Sequence, residues 1–245
     1  MLFVGLERAS LVLVYKDAEG NPEYIQALPG GIGPEGLLAL PARNLFVAAA
    51  ETDLIPDGGI GSVVTIYEYQ DGEPAYPQLV SADGPDGTPI PWMAVSGIAA
   101  DPQTDGKLYA VTDSASSLPR ILTIDATQTP AVINAEMTIT QDGQPAAKLD
   151  PEGIAIAADG GFWIASEGNP EREKNKTNSL LLKVSADGAI EKTYPMPEAI
   201  LSQAKRFGFE GVAAVGEGDE ETVWIAVQRE WKDDPVDHVK LVAYN

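Results

Sequence analysis

Carboxylates recur at matching places along the chain. Three of them stand directly before a Gly that opens an apolar run: Glu35, Glu152 and Glu210. A polar or acidic side chain also follows the end of a nearby apolar run in each part of the chain: Glu7, Glu51, Asp113, Glu167 and Gln228. Carboxylates at close range need a counter-charge, and a hard cation with oxygen ligands supplies one. The pattern predicts a Ca²⁺ site held by Glu35, Glu152 and Glu210, with Glu167 or Asp113 as the proton acceptor.

The element expected to position these side chains is a β-hairpin. The segment from Asp150 to Glu167 contains two short apolar runs separated by Asp159-Gly160-Gly161. Such a turn sequence tolerates the positive φ of a tight hairpin, and the β-branched and aromatic residues on either side favour strands. Glu152 and Glu167 are therefore expected at the same open end of one hairpin.

The hairpin pattern occurs four times. Its opening glycines are Gly36, Gly97, Gly153 and Gly211, at spacings of 61, 56 and 58 residues. Two further strand candidates follow most copies. Strand-rich repeats of this length are typical of the four-stranded blades of a β-propeller. The fold class predicted is all-β, a β-propeller of four-stranded blades.

The chain is expected to hold about five blades, with the first and last incomplete. Residues 2–6 match the second strand of a hairpin, and a single strand candidate follows the last copy. We expect one propeller domain over residues 1–245, as a fragment of a longer propeller, with five-bladed closure as the alternative. A short helix is predicted over Glu198 to Arg206, after Pro197.

The charge balance limits the class of partner. The chain has 37 Asp and Glu against 16 Lys and Arg, a formal net charge of −21, and no Cys. An anionic surface of this kind repels nucleic acid and anionic membranes. No stretch resembles a signal peptide or is long enough to span a bilayer. A monomer that takes a small-molecule substrate and a cation is expected.

The remaining candidate residues lie near the predicted carboxylate face. The residues expected to bind substrate are Arg8, Glu7, Glu51, Gln228 and Arg229. The arginines suit a phosphate or carboxylate group, and equally suit ion pairs with the excess acid. His238, the single His, is expected at the surface, which leaves no Ser-His-Asp triad. Each Glu before a Gly has a structural alternative, which is to accept backbone N–H bonds that tie neighbouring blades together.

Several segments together resemble the phytase-like family with esterase-like activity: DPEGIAIAADGGFWIASEG (150–168), GFEGVAAV (208–215), VQREWKDDP (227–235), and SGIAADP with LYAVTDS (96–114). The resemblance implies a bacterial propeller, extracellular or periplasmic, whose recurrent acids serve phosphodiesterase- or phosphatase-like chemistry. Those acids match Glu35, Glu152, Glu167, Glu210 and Asp113. The third copy departs from the pattern with Ser96, and the last copy departs with Gln228.

The leading hypothesis is a cation-dependent hydrolase of phosphoesters or carboxylic esters. Two alternatives stay open. One is a non-catalytic propeller scaffold that binds a ligand or a protein, and the other is a lactonase-like Ca²⁺-dependent hydrolase. A substrate panel of lactones and phosphoesters separates the two enzymes.

Overall fold

Short antiparallel sheets make up most of the structure, a computed structural model that describes residues 1–73, 76–174, 176–216 and 218–245. All-β character is confirmed. The residues group into two compact units, Met1–Pro77 and Gln78–Asn245. Whether the chain forms one propeller domain stays a prediction.

The first unit contains two three-stranded sheets, with strand orders β1-β2-β3 and β4-β5-β6. Their strands are β1 (Leu2–Leu6), β2 (Leu11–Lys16), β3 (Glu23–Pro29), β4 (Pro34–Leu40), β5 (Leu45–Ala50) and β6 (Val63–Glu68). Single 3₁₀ turns span Glu7–Ala9, Pro41–Arg43 and Ile55–Asp57. Val12 and Phe46 are buried in the core, and the Phe3 ring stacks on Phe46 with centroids 4.0 Å apart.

The sheet of the second repeat has fewer described strands than the four that the sequence predicts. In the described residues its sheet has three strands, and the next strand of the chain, β7 (Leu79–Ser81), pairs in parallel with a strand of the following sheet. The intervening segment contains Gly72 and Pro77. Gly weakens strands and Pro cannot donate to a strand ladder, so these two residues disfavour a paired outer strand at their positions.

The second unit contains three larger sheets and a two-stranded ribbon. The sheet orders are β7-β11-β10-β9-β8, β14-β15-β16-β17 and β18-β19-β20. After β7, the strands are β8 (Val95–Ala100), β9 (Lys107–Thr112), β10 (Arg120–Asp125), β11 (Ala131–Thr138), β12 (Thr140–Gln141), β13 (Gln144–Pro145), β14 (Pro151–Ile156), β15 (Phe162–Ser166), β16 (Leu180–Val184), β17 (Ile190–Pro195), β18 (Phe209–Val215), β19 (Thr222–Val227) and β20 (Leu241–Tyr244).

The apolar faces of these strands form the core of the second unit. Ile164 and Leu182 are buried between the β8–β11 and β14–β17 sheets, and Phe209 and Ile225 are buried on the other side of β14–β17. Trp231, from the loop after β19, completes this second cluster. The central sheet is therefore packed on both faces.

The four predicted hairpins share a β-bulge at the residue before the glycine. In the Gly153 hairpin, Pro151 pairs with Ser166 and Gly153 pairs with Ala165, so Glu152 is the extra residue. The same register shift falls at Glu35 and Ser96, and in the last hairpin it falls between Phe209 and Val212, where Glu210 lies. A bulge bends a strand and re-aims one side chain. The repeat thus extends to backbone geometry, and the bulge determines where the predicted side chains point.

Glycine follows each bulge, and in the second unit two of these glycines meet the next bulge closely. A Cβ on Gly97 would lie 2.9 Å from the carbonyl oxygen of Glu152, and one on Gly153 would lie 2.4 Å from that of Glu210. The backbones of neighbouring strands among β8, β14 and β18 therefore lie very close together at their bulges, and no side chain would fit at Gly97 or Gly153.

The predicted helix is present but shorter than expected. Helix α1 covers Glu198–Leu201, directly after Pro197, and the chain to Ala204 continues as turns with i→i−3 hydrogen bonds. A single turn has little intrinsic stability, so the local packing decides its end. A 3₁₀ turn also spans Gly218–Glu220. None of the helices in the described residues is long and apolar enough to cross a membrane.

The close approach at Gly153 gives a stability prediction. Gly153→Ala should lower the free energy of unfolding by about 2 kcal/mol or more, because the new Cβ would collide with backbone atoms of β18. Gly211→Ala is the matched control, since its Cβ would meet only Ala226 at 3.6 Å. Urea denaturation of both variants measures the difference, and equal midpoints would contradict the packing described.

Candidate functional site

Three carboxylates come together at the open end of the β14–β15 hairpin. Asp150, Glu152 and Glu167 each offer an oxygen, and these oxygens all lie within 4.8 Å of one another. All three side chains are partly buried. We call this group the acidic trio. Among the described residues it is the single group of three or more His, Asp and Glu side chains with metal-ligand spacing.

Asp150 is fixed by its neighbours on two sides. Its carboxylate accepts the backbone N–H of Ser114 at 2.9 Å, and its own N–H donates to Ser166 Oγ at 3.0 Å. Its carbonyl accepts the N–H of Glu167 at 2.8 Å. Asp150 thus connects the β14–β15 hairpin to the loop after β9.

Glu152 projects from the bulge of β14 toward the preceding repeat. The Ser96 side chain, on the equivalent bulge of β8, is its polar neighbour there. Burial raises the pKa of the Glu152 carboxyl to about 7; the Ser96 hydrogen bond opposes the shift, and the charges of Asp150, Glu210 and Glu167 add to it. A carboxylate in this position is poised to gain a proton or a cation.

Glu167 follows the end of β15 and faces the next repeat. Its Oε1 accepts the N–H of Gly208 at 2.8 Å. Burial raises its pKa; the Gly208 N–H bond opposes this, the charges of Asp150 and Glu210 add to it, and the charge of Arg206 lowers it.

Glu210 lies beside the trio, on the bulge of β18. Burial is the main cause of its raised pKa, the charge of Asp150 adds to it, and a hydrogen bond from the Gln228 side chain opposes it. The structure therefore brings Glu152, Glu167 and Glu210 into one electrostatic neighbourhood. Of the three residues predicted as metal ligands, only Glu152 belongs to the acidic trio.

Asp113 lies at the end of β9, the position equivalent to Glu167. Its carboxylate accepts the backbone N–H of Ala115 and so stabilises its own turn. It is not a member of the acidic trio, although its neighbour Ser114 contacts Asp150. Its catalytic role stays a prediction.

The candidate residues of the first unit are exposed. Glu35 lies on the bulge of β4, and the Glu51 N–H donates to Gly33. Glu7 and Arg8 form an ion pair, with Arg8 Nε 3.6 Å from Glu7 Oε1. Their predicted roles in binding metal or substrate stay predictions.

Two arginines lie over one aromatic ring close to the trio. The guanidinium carbons of Arg206 and Arg229 are 4.6 Å and 4.2 Å from the Phe207 ring centroid. Arg229 was a sequence candidate, whereas Arg206 and Phe207 gave no motif signal. His238 is exposed, and its Nδ1 lies 2.8 Å from the carbonyl oxygen of Val236.

Asp150 is the site residue that the repeat pattern failed to predict. The matching positions of the other copies hold Gly33, Ala94 and Gly208. Asp150 therefore does not recur between copies, and a search for recurrent acids does not find it. The available signal was a second acid two residues before Glu152, unique to this copy. Three oxygen donors of this kind suit a hard cation such as Ca²⁺.

Comparison with known proteins places these residues in a family. A family model described as Phytase-like, esterase-like activity of phytase, matches residues 90–245. The chain belongs to this Phytase-like family. The matched region contains the whole acidic trio, Glu210 and the two stacked arginines. No curated protein matches the chain significantly in sequence.

Solved structures resemble the Phytase-like chain only distantly. A luciferin-regenerating enzyme is 14% identical, with a TM-score of 0.39, and the match covers 91% of this chain and 64% of that one. Hydrazine synthase of Kuenenia stuttgartiensis is 14% identical, with a TM-score of 0.36 and coverages of 92% and 51%. A gluconolactonase of Xanthomonas campestris is 14% identical, with a TM-score of 0.36 and coverages of 91% and 67%. The chain thus spans two thirds or less of the first two structures, and similarity this low carries no information about activity.

The raised pKa of Glu152 predicts a pH-dependent stability in chelator. Its pKa rises from an ordinary 4.5 to about 7 in the folded protein, so the folded state binds the proton more tightly than the unfolded chain does. The stabilisation of the folded state by the proton on Glu152 is fully present below the ordinary pKa of 4.5, and it is lost as the pH rises through about 7. At about pH 8, the free energy of unfolding of Glu152→Gln should exceed that of the wild type by on the order of 1 kcal/mol after solvent screening, and its melting temperature should be higher.

Near about pH 4 the two proteins should unfold together, because Glu152 is then protonated and resembles Gln. Glu23→Gln, which removes an exposed carboxylate of β3, controls for the change in net charge. Thermal melts across this pH range provide the measurement. Parallel curves for wild type and Glu152→Gln would refute the electrostatic description of the site.

Proposed function

We propose that the protein is a cation-dependent hydrolase of phosphoesters or carboxylic esters, with its site at the acidic trio. The observation that carries the proposal is the convergence of three carboxylate oxygens within 4.8 Å in a part of the chain that matches the Phytase-like family. Three carboxylates without a counter-charge repel one another. Burial, together with this repulsion, raises the pKa values of Glu152 and Glu167. A hard cation would relieve it.

Asp150, Glu152 and Glu167 would hold the cation. All three donors are carboxylate oxygens, the chemistry that Ca²⁺ prefers, and three ligands leave positions for water and substrate. When bound, the cation would polarise the ester oxygen and lower the pKa of a water molecule. The hydrogen bonds from Ser114 and Gly208 orient Asp150 and Glu167.

Glu210 is the proposed proton acceptor. It lies outside the trio, and burial raises its pKa above the ordinary value of a Glu, which strengthens it as a base. This assignment differs from the sequence-based one, in which Glu210 is a ligand and Glu167 or Asp113 takes the proton. The difference follows from Asp150, which brings Glu167 into the ligand set.

A second candidate function, the non-catalytic scaffold, is favoured by the hydrogen bonds of the same residues. Asp150 accepts a hydrogen bond from Ser114 of the preceding repeat, and Glu167 accepts one from Gly208 of the following repeat. The acids therefore also tie neighbouring repeats together. Both roles are physically compatible, so a test must read cation binding, turnover and stability separately.

Conservative variants of the trio test the enzyme proposal. Asp150→Asn should weaken Ca²⁺ binding at least about a hundredfold and should lower kcat/KM for the best substrate by a similar factor, because one charged ligand is lost. The measurements are calorimetric titration of Ca²⁺ into chelator-treated protein and a panel of phosphomonoesters, phosphodiesters, carboxylic esters and lactones. Glu23→Gln should leave both quantities unchanged.

Ca²⁺ should also raise the melting temperature of the wild type, and chelator should abolish turnover reversibly. If Asp150→Asn lowers the melting temperature while wild type neither binds Ca²⁺ nor turns over any ester, the scaffold role is correct and the hydrolase proposal fails.

A further inference from the structure

Two guanidinium groups lie over the ring of Phe207, the residue before Gly208, whose N–H binds Glu167 of the acidic trio. Arg206 and Arg229 come from separate segments of the chain, and both lie over the Phe207 ring, at 4.6 Å and 4.2 Å from its centroid. Stacking on an aromatic face orients the planar group while leaving its in-plane N–H donors open. We call these three residues the arginine platform.

The backbone fixes the platform relative to the trio. Phe207 has a φ of 67°, in the left-handed region that bulky residues rarely adopt. The next residue, Gly208, donates its N–H to Glu167 at 2.8 Å and accepts the N–H of Gln228 at 2.8 Å. The residue that bonds the trio thus directly follows Phe207 in the chain. The segment that carries Arg229 is hydrogen-bonded to that same residue, Gly208.

Neither arginine of the platform is neutralised by a carboxylate. Within the described residues, no ion pair involves Arg206 or Arg229, whereas Arg120 is bound to Glu136 at 2.8 Å and Lys183 to Asp159 at 2.6 Å. Two guanidinium groups thus share one ring without an ion-pair partner among the described residues. Like charges held together repel each other, and a bound anion would relieve that repulsion.

An anionic substrate would face repulsion at this site from Asp150, Glu152, Glu167 and Glu210. A local pair of cations removes that barrier, and a guanidinium fork binds planar or tetrahedral oxyanions through two parallel hydrogen bonds. Gly208, the residue directly after Phe207, donates its N–H to Glu167 at 2.8 Å, so the platform and the trio are neighbours. The positive charge of Arg206 also lowers the pKa of Glu167.

We infer that Arg206, Phe207 and Arg229 form an oxyanion-binding platform that determines specificity by holding an anionic group of the substrate beside the acidic trio. The inference rests on the proposed function for its biological meaning, and it extends that function to substrates that carry a phosphate or carboxylate group. The anion binding itself can be measured without turnover.

The test is titration of inorganic phosphate, and separately of acetate, into the chelator-treated full chain, followed by calorimetry. Wild type should bind at least one of them, and the double variant Arg206→Gln/Arg229→Gln should bind it at least about tenfold more weakly, since each charge-assisted contact is worth that order. The anion bound more tightly identifies the class of oxyanion. Arg229→Lys, which retains the charge and loses the planar fork, should give an intermediate affinity.

Arg43→Gln, an exposed arginine of the first unit, is the matched control and should bind as wild type. The inference is overturned if wild type binds neither anion, or if the double variant binds as tightly as wild type while melting at the same temperature. If the double variant unfolds, the single variants and Arg229→Lys give the same comparison.

Turnover separates the two proposals. Loss of the platform should lower kcat/KM for an anionic ester relative to that for a neutral ester, and an unchanged ratio would contradict the specificity role. If no ester is hydrolysed but the platform binds an oxyanion, the hydrolase proposal fails and the anion site stands.

Discussion

The close approach of successive bulges is the constraint on which the site depends. Gly97 and Gly153 leave no space for a side chain between their strands and the bulges at Glu152 and Glu210. Because the backbones lie so close, side chains aimed by adjacent bulges must share one small volume. A Ser and two Glu occupy these positions in β8, β14 and β18, so the packing that stabilises the unit also concentrates its carboxylates.

The electrostatic energy of the ionised carboxylates at this site destabilises the folded protein. Burial raises the pKa of Glu152, Glu167 and Glu210, so the fully ionised site is costly to the folded protein. Hydrogen bonds from Ser96, Gly208 and Gln228 reduce the cost without removing it. A site that retains such a cost is typical of functional positions, where charge is held ready for a ligand. The family match adds an independent reason to expect chemistry here.

The repeat pattern predicted much of this architecture. Turn residues and alternating apolar runs located the hairpins, and the spacing of Gly36, Gly97, Gly153 and Gly211 marked the copies. Local propensity determines such features, which is why they are readable from sequence. Whether the repeats close into a propeller, and with how many blades, depends on packing between units and stays a prediction.

The site itself was only partly predictable. Glu152 and Glu167 were expected at one hairpin end and meet there, but Asp150 was missed because the other copies have small residues at its position. The bulge could not be read from the sequence, because it reflects pairing register, and register decides which way Glu152 points. The stacking of Arg206 on Phe207 likewise depends on a left-handed backbone that no motif signals.

Diffraction from crystals of the full chain soaked in Mn²⁺, with anomalous data, tests the central claim most directly, since this hard cation also binds oxygen ligands. The account predicts an anomalous peak within about 2.5 Å of carboxylate oxygens of Asp150, Glu152 and Glu167, and displacement of that peak by Ca²⁺. A well-ordered site with no peak at the acidic trio, or with the cation bound elsewhere, would contradict it.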